Sequence, residues 1–141
     1  MSIEFKENPL LVIIEEVFRI SAPGWKLKNA IYSDETKVYS EWHSQSDEVV
    51  AQIVMMPSPE AAKTNLRLFD RNFRVTHDDE SSTFLPALGD ESQILTQSDN
   101  LRGTVIKFRT GMTIVQVSGS DFEVLVSLAS ALADRLKSTQ D

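Results

Sequence analysis

Two histidines, His43 and His77, and the carboxylates near the second are the side chains best placed for acid–base or metal chemistry. His77 opens "HDDE" (His77 to Glu80), and Asp90 and Glu91 follow within "LPALGDESQ" (Leu85 to Gln93). These segments supply enough oxygens for a calcium site, yet their spacing matches neither an EF-hand loop nor a zinc motif. The structural reading is an acidic loop and then a tight turn, with Gly89 supplying a positive φ and Asp90 bonding the local backbone. A small hydrolase or transferase would use His43 or His77 as the base, with a carboxylate from "HDDE" or "LGDE" in hydrogen-bond reach. No G-x-S-x-G elbow and no glycine-rich phosphate loop accompanies them. No cofactor and no metal is therefore expected.

All four Trp and Tyr residues, Trp25, Tyr32, Tyr39 and Trp42, fall in one stretch, and every other aromatic is Phe. Polar-tipped aromatics bring large contact area, few rotors and a hydrogen-bonding tip, so these four are candidate ligand-binding residues. The competing reading makes them sheet cover beneath a helix. Lys63, Arg67, Arg71 and Arg74 recur at helical spacing. They form a candidate docking strip for a carboxylate-rich or phosphorylated partner, or else a solvated face complementing a helix dipole.

Composition narrows the partner class. A formal charge of -7 opposes phosphate backbones and anionic lipid, so nucleic acid is not an expected partner. With no cysteine there is no thiol catalysis, thiolate metal site or disulfide. The apolar run "LLVII" stops at Glu15 and Glu16, short of the roughly 20 residues that span a bilayer. No transmembrane segment is expected, and the run lacks the cleavage site of a signal peptide.

At 141 residues the chain reads as one domain. Asn8 as N-cap, Pro9, and apolar residues at Leu10, Ile13, Ile14, Val17 and Phe18 predict a helix ended by "APG". Period-two alternation of Trp25, Leu27 and Ile31 predicts a strand, "KVYSEWHS" the returning strand, and "EVVAQIVMM" a central one. Ser58 and Pro59 start a second helix with a stripe of Ala62, Leu66, Phe69 and Phe73. Residues 74–88 read as loop, followed by three strands, "SQILTQS", "RGTVIKFR" and "MTIVQVSG". Ser120 and Glu123 have capping-box spacing before a last helix striped by Leu125, Leu128, Ala129, Leu132 and Leu136.

The expectation is an α+β domain, order α-βββ-α-βββ-α, with a six-stranded mainly antiparallel sheet flanked by helices. "VVAQIV" and "MTIVQV", each before a Ser-capped helix, suggest a pseudo-repeat.

The region from Phe84 to Leu136 resembles small extracytoplasmic bacterial domains and lipoproteins of mostly unknown function. The likeness rests on "LGDES" and "VIKFRTGMTIVQVSG", through Gly89, Asp90, Glu91, Phe108, Arg109 and Gly111. It implies a fold like that of PsbP and Mog1, an antiparallel sheet between helices. It also implies a non-catalytic binding, sensing or accessory module for a protein, peptide or small molecule, located in the cell envelope. The chain departs from that pattern in having no lipid-attachment cysteine, cysteine pair or signal segment. A further reading is a structural homodimer through the first helix, apolar at Leu10, Leu11, Ile13, Ile14 and Phe18.

Overall fold

Helix α1 (Pro9–Ser21) starts at its proline, whose missing N–H is harmless in the first turn. Its stripe of Leu10, Ile13, Ile14, Val17 and Phe18 is buried. The chain leaves the helix where Ala22 N donates to Phe18 O at 2.8 Å and Trp25 N to Ala22 O at 3.1 Å. Strands β1 (Lys26–Asp34), β2 (Lys37–Ser44) and β3 (Asp47–Met55) follow, then α2 (Pro59–Leu66), β4 (Phe73–Asp79), β5 (Glu91–Gln97), β6 (Thr104–Thr110), β7 (Thr113–Gly119) and α3 (Phe122–Gln140). This computed structural model describes residues 9–34, 36–45, 47–66, 73–79, 89–97 and 104–140.

The strands form one sheet in the order β1-β2-β3-β7-β6-β5-β4, with every neighbouring pair antiparallel. All six strands read from the sequence are present, and a seventh, β4, joins at the edge. The loop expected over 74–88 is thus a strand in its first part, and His77, Asp78 and Asp79 belong to it. Its sequence "FRVTHDD" turns polar halfway and is bulged between Val75 and His77, so it lacks apolar alternation. An edge strand has one neighbour and tolerates that composition.

Helices α1 and α3 lie side by side on one face of the sheet. The core between them contains Phe18, Val38, Trp42, Val49, Ala51, Ile53, Ile106, Phe108, Val115, Val117, Leu125, Leu128 and Leu132. The Trp42 ring stacks on Phe18 with centroids 3.9 Å apart and planes at 6°. Trp42 Nε1 donates to Ser40 Oγ at 3.0 Å, and Ser40 Oγ donates to Ala51 O at 2.8 Å, so the buried polar atoms are satisfied. The apolar residues Leu10, Ile13, Ile14 and Phe18 of α1 are thus packed within its own chain.

Helix α2 lies on the opposite face over β6 and β7, where Ala62 and Leu66 pack on Ile114 and Met56. Ser58 Oγ accepts from Ala61 N at 3.1 Å, the cap read from the sequence. The expected stripe does not continue to Phe73, which lies in β4, and Phe69 lies outside the described residues. The last helix is capped by Asp121 rather than Ser120: Asp121 Oδ1 accepts from Glu123 N at 3.1 Å and Val124 N at 3.3 Å. A carboxylate and a hydroxyl one residue apart compete for this role, and the carboxylate wins through its charge.

Candidate functional site

The turn at Gly89 and Asp90 forms a joint with β6 and the β6–β7 hairpin. Gly89 has φ +61°, and a Cβ there would lie 2.3 Å from Arg109 O, so only glycine fits without backbone movement. Asp90 N donates to Arg109 O at 2.6 Å, tying the turn to β6. The Arg109 side chain is almost fully buried and uses its fork: Nε donates to Glu91 Oε1 at 2.9 Å, and Nη1 donates to Gly111 O at 2.8 Å and Asp90 Oδ2 at 3.3 Å. Asp90 Oδ2 also accepts from Gly111 N at 2.8 Å. Gly111, at φ +64°, occupies the first central position of a two-residue β6–β7 hairpin, as a type II′ turn requires. These carboxylates satisfy a buried cation, and Asp90 bonds a distant hairpin rather than its local backbone. Together they tie the turn before β5 to β6 and the β6–β7 hairpin.

Beside this joint on the same sheet face, Lys107 is buried under α2 and its Nζ donates to Asn65 O at 2.7 Å. Burial pushes its ammonium down to about 8.

The other half of that face, over β1, β2 and β3, has no helix on it among the described residues. Strand alternation displays Tyr39, Glu41 and His43 of β2, and Val50, Gln52 and Val54 of β3, each partly exposed. Ile31 pairs with Tyr39 and is 60% exposed. Tyr39 Oη donates to Glu41 Oε2 at 2.9 Å, and this bond raises the tyrosine pKa, because losing the proton would face a carboxylate. Lys28 Nζ donates to Glu48 Oε2 at 2.9 Å, with both side chains more than half exposed. Its pKa is raised first by that hydrogen bond and then by the charge of the same carboxylate. At the centre, Gln116 Nε2 donates to Gln52 Oε1 at 3.3 Å.

The four aromatics therefore do not share a platform. Trp42 is core and Trp25 packs at its margin, 6.5 Å from Phe18. Tyr39 is on the open face, and Tyr32 lies opposite Val38 in the register. A bulge between Leu27 and Asn29 breaks the alternation read from the sequence: Leu27 pairs with Trp42, on the helix-covered side, whereas Ile31 pairs with Tyr39 on the open side. Of the basic strip, Lys63 is exposed on α2, Arg74 is on β4, and Arg67 and Arg71 lie outside the described residues. Among the described residues, His43 forms no side-chain hydrogen bond or ion pair. His77 is in β4, far in sheet order from His43.

The sequence reading missed Lys28, Glu41 and Glu48, because their meeting depends on strand register. It also missed a cleft of about 340 Å³ lined by Ser21, Ala22, Gly24, Trp25, Ser44, Asp121, Glu123, Val124 and Ser127. Among the described residues no group of three or more His, Asp or Glu converges as a metal site, and no helix is long and apolar enough to cross a membrane. Comparison with protein-family models, curated proteins and solved structures finds no match for this chain.

Proposed function

We propose that the protein is a non-catalytic binding module of PsbP/Mog1-like type, and that a polypeptide partner lies across the uncovered half of its second sheet face. The observation that carries this reading is the exposed row of Ile31 and Tyr39, flanked by Glu41 and Val50, on a half-sheet that no described helix covers. A flat surface with a tyrosine, an aliphatic anchor and a polar rim has the make-up of a protein contact. Strand addition is the less favoured mode, because the β1 edge carries Lys26 and Lys28 and two register shifts.

The test uses peptides selected on the wild-type protein from a random display library. Ile31→Asp and Tyr39→Ala should each weaken selected peptides by roughly tenfold or more, equivalent to about 1.4 kcal/mol. Glu15→Lys, on the exposed side of α1, should leave them unchanged. Selected peptides indifferent to both face variants overturn the reading.

A further inference from the structure

We propose that the cleft between the C-terminal end of α1, Trp25 and the first turn of α3 binds an alkylammonium group. This site is on a different part of the molecule from the open half-sheet and does not depend on it. At about 340 Å³ the cleft is of the size that accepts a small ligand, and it opens to solvent. Trp25 forms one wall while its ring also packs near Phe18, so the indole is held in place rather than free to rotate away. An indole in the wall of a cleft attracts an organic cation that stacks on its ring, through the ring quadrupole, and Trp is the strongest of the aromatic side chains in this role.

The charges agree in sign. Asp121 and Glu123 line the cleft, and among the described lining residues none is basic. The α3 N-terminus would by itself favour an anion, but Asp121 Oδ1 already accepts from the free N–H groups of Glu123 and Val124. Ser21, the last residue of α1, brings the negative end of that helix to the opposite wall. Hydroxyls of Ser21, Ser44 and Ser127 provide acceptors for a primary ammonium. Aromatic wall, carboxylates and helix C-terminus together select a cation with an apolar body over a hydrated metal ion or an anion. The same chemistry is carried by a free small cation such as choline and by a lysine side chain of a peptide.

The experiment follows the Trp25 indole N–H and the backbone amides of Glu123 and Ser127 by two-dimensional NMR. The full chain is titrated separately with choline, N-acetyl-lysine amide and 3,3-dimethylbutanol, the neutral isostere of choline. Saturable shifts confined to the cleft are expected for at least one cation, with a dissociation constant at least tenfold lower than for the alcohol. The tighter of the two cations identifies the source as a free small molecule or a peptide side chain. Asp121→Asn keeps the helix cap while removing its charge, and combined with Glu123→Gln it should weaken the cation by roughly threefold to tenfold. Trp25→Leu should abolish the shifts of the Glu123 and Ser127 amides, and the surface double variant provides the same test where that substitution destabilises the fold. Equal affinity for the neutral isostere, no saturable shift with either cation, or no change in the double variant overturns the proposal.

Discussion

The two halves of the sheet present the same face to different surroundings. Strands β3 and β7 meet at its centre, with Gln52 directly opposite Gln116, so "VVAQIV" and "TIVQV" pair across an antiparallel seam. Three strands (β1, β2, β3) lie on one side of this seam and four (β7, β6, β5, β4) on the other, and the helices that follow β3 and β7 go to opposite faces of the sheet. Helix α2 covers the β6–β7 half, and there the polar residues are deeply buried and matched: Arg109 has three acceptors and Lys107 a helix carbonyl. On the β1–β3 half the same face carries Tyr39, Glu41 and the Lys28–Glu48 pair in contact with solvent. Cover by one short helix converts polar side chains from an accessible surface into obligatory internal partners.

Substitutions should separate the halves most sharply at the joint. Arg109→Met should lower unfolding free energy by about 3–5 kcal/mol, measured by urea denaturation, because it leaves Glu91, and Asp90 in part, without their cation. A loss below about 1 kcal/mol would show that the joint is weak and remove the contrast. Next in size is a pH dependence from Lys107. Its ammonium titrates near 8 when folded and at 10.5 in the reference state, so the unfolded chain holds the proton more tightly between these values. The lysine therefore detracts from stability below about pH 8, and this penalty fades as pH rises towards 10.5. Comparing wild type with Lys107→Met, the stability difference in favour of Met should shrink over that window. A constant difference would place the ammonium in water.

A smaller effect distinguishes the caps. Asp121→Ala should cost about 1 kcal/mol in thermal or urea unfolding, and Ser120→Ala close to nothing. The reverse order would restore the Ser120 cap. Smallest of all, Lys28→Ala should leave the urea unfolding midpoint unchanged within experimental error, since this pair is solvent-exposed and screened. A measurable loss would mean that the open half is as tightly coupled as the covered one.

Much of the scaffold was legible because it depends on local chemistry. Pro9 and Ser58 mark helix starts, Gly89 marks a positive-φ turn, and the stripe from Leu125 to Leu136 marks α3. The β4 edge was hidden by its polar second half. The Ser120 cap was misplaced by one residue because two adjacent side chains both suit the role. Of the binding candidates, Trp42 proved to be core: a tryptophan serves equally well in a core or a binding surface, and burial alone separates the two.

The sequence by itself determined the three helices and every strand but β4, that the domain is α+β, and that cysteine chemistry has no part in it. These follow from period, cap and turn preferences, and from composition. Only the tertiary structure decided which aromatic faces solvent, that Asp90 and Glu91 hold Arg109, and that Trp25, Asp121 and Glu123 share a cleft. One bulge in β1 moved Ile31 to the face opposite α1 and α3, and α2 settled over β6 and β7, so that no described helix covers β1 to β3 on that face. Such outcomes depend on contacts between residues far apart in the chain, and no local pattern encodes them.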